Sequence, residues 1–457
     1  YETLCELFGR LFHDMSGSTY RRRVSVNPET VHPATTPISV LMQRPAWRDT
    51  FSALRMHNFR LYMVSQFIVY TATWAQRIAV DWLVLEITGS VALVGLTIAV
   101  QFVPTVVLGA FGGVIADRFP KRAIMLTAQA VTVVLGGLLA FFAITGQANL
   151  WIVYGLVLGI GIAQVFDLPA RSVFVNEMVG ARHLRNAISL NASVFHIGAL
   201  VGPAISGVLI IAVGSGWAIA GNALAGLIAI FLLLAIRKRE LHLAPRAPSG
   251  KGQIREAARY ILAKPTLFWT MVLVFVVAVF GMPLPVLLAG LANSVLDTGA
   301  TGYGLYNTLV AVGSLVGALL STRRASLRLR TIVFSAILYG TVLALAGIGH
   351  HTLLFLVLLV FVGFSRLMYM TASETMVQLS SNTAIRGRVM SFWVMVVVGG
   401  QAIGGPLMGW IAQEYGPNNA MILAGAVPAA AAIGIALVLA RSGRLRVKVT
   451  PRRGRWV

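Results

Sequence analysis

A single cysteine, Cys5, excludes a disulfide framework within the chain. Charge is scarce as well: Asp, Glu, Lys and Arg make up 11% of the 457 residues, roughly half the share of a soluble domain. No Gly-x-x-x-x-Gly-Lys-Ser/Thr run occurs, so no ATP-driven transport by this chain is expected. His350-His351 have no partner ligands in sequence, and no metal, cofactor or enzyme signature is found. Residues 1–57 are polar, proline-containing and basic at Arg21-Arg22-Arg23, with no apolar leader core, so a cleavable signal peptide is not expected. They read as a cytoplasmic tail, with a short helix around Thr3–Phe12.

What remains is apolar: 57% of the residues are hydrophobic. Stretches near 20 residues are long enough to cross a bilayer. Twelve are expected, at 59–86, 90–116, 122–145, 149–177, 184–213, 216–236, 266–290, 301–321, 330–348, 351–377, 387–413 and 418–440. Within the polar segment Arg237–Lys264, Gln253–Leu262 reads as an amphipathic surface helix. The expected organisation is a tail at 1–57, a six-helix bundle at 58–236 and a central loop at 237–264. A second six-helix bundle at 265–440 and a basic tail at 441–457 follow.

The basic residues assign sides. With twelve spans, 34 of the 37 Lys and Arg fall on one face, and the other three, Arg77, Arg171 and Arg366, lie within spans. This is the positive-inside pattern, which puts both termini in the cytoplasm. The net charge of +22 is then a matter of topology, and nucleic acid is not an expected partner. The chain also repeats at a spacing of about 203–204 residues. Arg185 and Gly202-Pro203 correspond to Arg388 and Gly405-Pro406, Gly159 to Gly363, and Gly113 to Gly317. Two parallel halves with a substrate site between them follow the logic of alternating-access carriers.

A short charged turn interrupts the apolar runs at Gly109-Ala-Phe-Gly-Gly113-Val-Ile-Ala-Asp117-Arg118-Phe-Pro-Lys121-Arg122. Gly109 and Gly113 lie four apart, which leaves one helix face bare for close packing. From Gly113 onward the stretch resembles the loop signature of the major facilitator superfamily, between its second and third helices. Gly198-x-x-x-Gly202-Pro203-x-x-Ser206-Gly207 resembles the antiporter signature of that superfamily, with Ser206 in place of a glycine. Asp81-Trp-Leu-Val-Leu-Glu-Ile-Thr-Gly-Ser90, Phe166-Asp-Leu-Pro-Ala-Arg171 and Asn186-Ala-Ile-Ser-Leu-Asn191 are similar to bacterial exporters of the enterobactin-exporter and macrolide-efflux branch. The resemblance implies an all-α polytopic protein with twelve transmembrane helices in two pseudo-symmetric six-helix bundles. It also implies export rather than import, and an Asp117 latch with Gly113, Arg118, Lys121 and Arg122 that meets the eleventh helix near Arg386–Met390.

Ionisable side chains at membrane depth are expensive and usually serve a cavity or a partner. Arg77 and Asp81 are four apart on one helix face, as are Asp167 and Arg171 around Pro169. Asp81 beside Arg77 fits either a proton-coupling acid or a fixed ion pair. Asp167 and Arg171 fit a gate or latch, and Glu374 with Arg366 fits the second half of a cavity. These five, with Arg366 assigned to the cavity, are the coupling and cavity candidates. Gln76, Gln101, Gln129 and Asn191 join them as polar cavity candidates, each equally suited to interhelical hydrogen bonding. Gly198, Gly202, Pro203, Gly207, Gly405 and Pro406 mark a bend in the fifth and eleventh spans.

Residues and resemblance together point to a monomeric secondary transporter in the bacterial cytoplasmic membrane. It is expected to export a small hydrophobic or amphipathic molecule, of drug or siderophore class, against protons. A proton-coupled importer, and a non-transporting sensor or scaffold whose basic tails bind a partner or membrane lipids, are the alternatives.

Overall fold

The computed structural model describes residues 52–241, 253–321, 329–349, 351–382 and 385–441. All of them belong to one unit, Thr50–Val457. Among the described residues every regular element is helical. Three helices come first: α1 His57–Thr88, α2 Val91–Arg118 and α3 Lys121–Ile144. The helical run Leu150–Val213 is interrupted at Gly180 (φ 64°, ψ 175°), which divides it into α4, Leu150–Gly180, and α5, Asn186–Val213. Next are α6 Ser215–Leu234, α7 Gln253–Ala263, α8 Pro265–Phe280 and α9 Leu284–Ser294. The last five are α10 Gly299–Ser321, α11 Leu329–Ile348, α12 Thr352–Ser380, α13 Arg386–Tyr415 and α14 Pro417–Arg441.

Among the described residues ten stretches are long and apolar enough to cross a membrane, against twelve expected. α1 and α10 are not among them. Arg77, Asp81, Glu86, Gln66 and Gln76 lower the hydropathy of α1. The seventh expected span is broken. Gly281, Met282 and Pro283 separate α8 from α9. Pro283 and Pro285 lack backbone donors, and the Tyr339 hydroxyl donates to the freed Gly281 carbonyl at 2.5 Å. A backbone break at membrane depth persists only with such a substitute partner.

Inside a bilayer, lipid competes with side chains for apolar contact, so small residues that let backbones meet decide helix association. Gly198 and Gly202 of α5 lie against Tyr70, Thr71 and Trp74 of α1. Gly400 and Gly404 of α13 lie in the same way against Ala278 and Val279 of α8. Gly161 of α4 meets the α2 backbone at Gln101, as Gly363 of α12 meets α10 at Val310. Each of these equivalent pairs is 202 positions apart, so the contact register is shifted slightly from the sequence repeat. Gly159, expected to match Gly363, meets only the Leu135 side chain of α3.

A second glycine set ties α2 to α13 and α5 to α10. Gly95 of α2 faces Gly405 of α13, and a Cβ there would lie 2.2 Å from the Gly405 carbonyl oxygen. Gly409 packs on Val91, and Gly207 of α5 meets Gly304 of α10. The Gln413 side chain accepts from the Val91 amide at 2.9 Å and from Ser90 Oγ at 3.3 Å, so α13 caps α2. Trp82 of α1 stacks on Tyr303 of α10 at 5.2 Å. These contacts gather at the end of the bundle that holds Ser90 and Gln413. In the charged turn, the packed glycine is Gly112, against Val165 of α4, while Gly109 has nothing within 4 Å. The bare face expected from Gly109 therefore lies elsewhere on the helix.

Gly95→Ala is expected to lower the thermal midpoint of the detergent-purified protein, with an overpacking cost of about 1–3 kcal/mol. Gly137→Ala, at a position with nothing within 4 Å, is the control and should be neutral. Equal tolerance of both would argue against a tight α2–α13 seam.

Candidate functional site

Two arginines, Arg171 buried and Arg77 half-buried, organise the polar interior, and they differ in how their donors are used. Arg171 on α4 donates from all three of its nitrogens. Its Nε donates to Asp167 Oδ2 one turn earlier, and a terminal nitrogen donates to Gln66 Oε1 on α1. The other terminal nitrogen donates to Gln129 Oε1 on α3 at 3.3 Å. The Tyr70 ring lies 5.6 Å from the guanidinium. Gln66, Gln129, Asp167 and Arg171 are all buried. Three helices are thus fastened around one cation, and Gln129, expected at a cargo cavity, is committed to this knot.

Arg77 on α1 is open. Its guanidinium lies over the rings of Trp74, at 4.7 Å, and of Phe102 on α2, at 4.9 Å. The expected ion pair with Asp81 does not form: among the described residues, no carboxylate lies within 4.0 Å of Arg77. Spacing of four permits a pair on a helix but does not select the rotamers, and the aromatic rings draw the guanidinium away. Arg77 instead lines a cavity between α1, α2 and α4, with Gln76, Gln101, Gln164 and Thr73 as its polar neighbours. Val80, Val157 and Ile160 supply the apolar wall. Gln76 is oriented by Asn222 of α6, whose Nδ2 donates to Gln76 Oε1. No charge or spacing in the sequence marks Asn222 or Tyr303.

Asp81 sits one turn beyond Arg77, 4% exposed, and its Oδ1 makes no hydrogen bond. The Tyr303 hydroxyl of α10 is also buried without a hydrogen bond, within electrostatic reach of Asp81. The acid therefore lies where α1 meets α10. On α12, Glu374 accepts from Gln378 at 3.2 Å and is within electrostatic reach of His196 on α5. Arg366 is half-buried and forms no ion pair with Glu374. Asn191 Oδ1 is buried without a hydrogen bond.

The charged turn engages its own neighbourhood. Lys121 pairs with Glu177 of α4 at 3.9 Å. Arg122 donates to the Leu233 and Leu234 carbonyls at 3.1 and 2.8 Å, closing the end of α6. Arg118 is exposed, and the latch expected at Gly113 and Asp117 falls outside the described side chains. At the start of α13, Arg386 donates to Ser381 O at 3.4 Å and Arg388 pairs with Glu256 of α7. Lys264 donates to the Tyr260 hydroxyl at 2.5 Å, and this hydrogen bond holds the phenol below its ordinary range.

Helices packed through glycine seams around a polar cavity fit a membrane transporter, and known proteins of similar sequence and structure agree. Solved structures agree on the fold. The nucleoside transporter NupG superposes with a TM-score of 0.65 at 12% identity, over 84% of this chain and 99% of that one. The D-xylose-proton symporter gives 0.64 at 14% identity, over 83% and 97%. The family model described as transmembrane secretion effector matches residues 48–449, and the chain belongs to that family of the major facilitator superfamily. It is a membrane transporter and not an enzyme. The enterobactin exporter EntS of Shigella boydii serotype 4 is 25% identical over 380 residues, 82% of this chain and 90% of that protein. EntS of Escherichia coli O9:H4 aligns with the same identity and coverage.

Removing one partner from the buried knot leaves an uncompensated charge, which costs about 3–5 kcal/mol. Arg171→Ala and Asp167→Ala are each expected to lower the thermal midpoint sharply. The double variant Arg171→Met with Asp167→Leu should lose less than the sum of the single variants. Strict additivity in thermal unfolding would show that the pair is not coupled.

Proposed function

We propose that this transporter is a secondary active exporter of a small hydrophobic or amphipathic molecule, working by alternating access against an inward proton flux. The observation that carries the reading is the polar cavity around Arg77, beside an interhelical seam closed at one end. The relatives' role as enterobactin exporters supports the outward direction. The basic residues favour a cytoplasmic-membrane orientation with both termini inside, which puts the closed seam on the outer face and makes this the inward-facing state. The division into two six-helix halves, 58–236 and 265–440, and a monomeric transport unit belong to the same reading.

Asp81 is the coupling acid in this scheme. A carboxyl without a hydrogen bond, held where α1 meets α10, changes its surroundings when the seam opens. Glu374, close to His196 across α5 and α12, is the second candidate. Arg171 with Asp167 fastens α4 to α1 and α3 so that they move together. Asp117, at the end of α2 between the basic turns, is the latch for the state in which the cytoplasmic side is shut.

Everted vesicles loaded with a panel of fluorescent dyes and antibiotics test this. Accumulation driven by a proton gradient and abolished by an uncoupler is the expected result. Asp81→Asn should lose the gradient-driven component yet retain exchange of labelled for unlabelled cargo. Asp117→Asn should slow turnover with expression and cargo binding largely intact. Full gradient-driven transport by Asp81→Asn would move the coupling role to Glu374. No movement of any compound, with stable capture of a protein partner, would favour a sensor.

A further inference from the structure

The state of Arg77 narrows the chemistry of the cargo. A guanidinium is charged at any physiological pH and carries five N–H donors in one plane. Inside a helix bundle such donors are normally matched by acceptors, and Arg77, half-buried, turns its own toward a cavity. Arg171 follows that rule, with acceptors on three helices. Arg77 does not: none of its N–H groups donates to a described residue, and it forms no ion pair within 4.0 Å. Its two close neighbours are rings, which attract a cation through their faces and offer no acceptor along the N–H edge. Among the residues that line the cavity, Arg77 carries the only charge, and Asp81 is not one of them.

From this geometry we infer that Arg77 anchors an oxyanion of the cargo, a carboxylate or a group of similar shape, in the α1–α2–α4 cavity. This rests on the transport reading above and names its substrate class: an acidic amphipathic molecule. The planar fork of arginine matches two oxygens at once, which an ammonium does not. Gln76, Gln101 and Gln164 add amide donors and acceptors for the polar groups next to the anion, with Gln76 held by Asn222. Val157 and Ile160 meet its apolar part.

The test uses the purified full chain in lipid nanodiscs and three probes on one scaffold: a coumarin carboxylate, its neutral carboxamide and the corresponding amine. Calorimetric titration should rank the carboxylate first. Arg77→Ala should weaken carboxylate binding about tenfold or more and leave the carboxamide unchanged. Arg77→Lys, which keeps the charge and loses the fork, should fall between. The probe ranking on the unmodified protein needs no variant, so it stands even where a substitution fails to fold. Equal or tighter binding of the amine or carboxamide, no binding of the carboxylate, or carboxylate binding indifferent to Arg77→Ala would overturn the inference. Vesicle transport separates the two readings. Export of the neutral or cationic probe alone keeps the exporter and removes the anion site. Arg77-dependent carboxylate binding with no vesicle transport does the reverse.

Discussion

Backbone meeting backbone at glycine is the contact on which this molecule depends. In lipid, apolar side chains gain little from one another that they would not gain from acyl chains, so association rests on how closely helices approach. Gly95 against Gly405 and Gly207 against Gly304 bring helices from the two parts of the chain to a distance that any Cβ would prevent. Gly198, Gly202, Gly400 and Gly404 do the same for the pairs α5–α1 and α13–α8. The seam and the packing of each part therefore use one device, applied on different faces of the same two helices.

That packing determines what polar side chains can do. Where three helices converge, Arg171 finds Asp167, Gln66 and Gln129, and its charge becomes a fastening. About three turns along α1 from Gln66, aromatic neighbours leave Arg77 with its donors free and facing a cavity. The same side chain thus serves as mortar in one place and as a recognition group in the other. The difference comes from what stands opposite each arginine.

Much of this architecture is legible in the residues. Apolar runs near 20 residues, the motif of the charged turn and the repeated Gly-Pro pair carry the helix order and the family. The quality of individual contacts is not legible. Arg77 and Asp81 have the same spacing as Asp167 and Arg171, yet only the second pair forms, because rotamer choice answers to neighbours from other helices. Gln129 reads as a cavity residue until α4 supplies an arginine to it. Gly112, not Gly109, takes the close contact, because glycine count along a turn does not say which face meets α4. The break between α8 and α9 is written in Pro283 and Pro285, but the substitute donor Tyr339 lies 58 positions from Gly281 and no local pattern announces it.

Gln413 gives the seam a direction of failure. Its amide oxygen receives the first backbone N–H of α2, a donor with no partner inside its own helix. To part α2 from α13 that donor must be handed to something else. Water at the membrane surface can take it, whereas the hydrocarbon deeper down cannot. The glycine contacts behind it have no polar group to hand over. Separation of the two parts is therefore a zipper with its pull at the Ser90–Gln413 end.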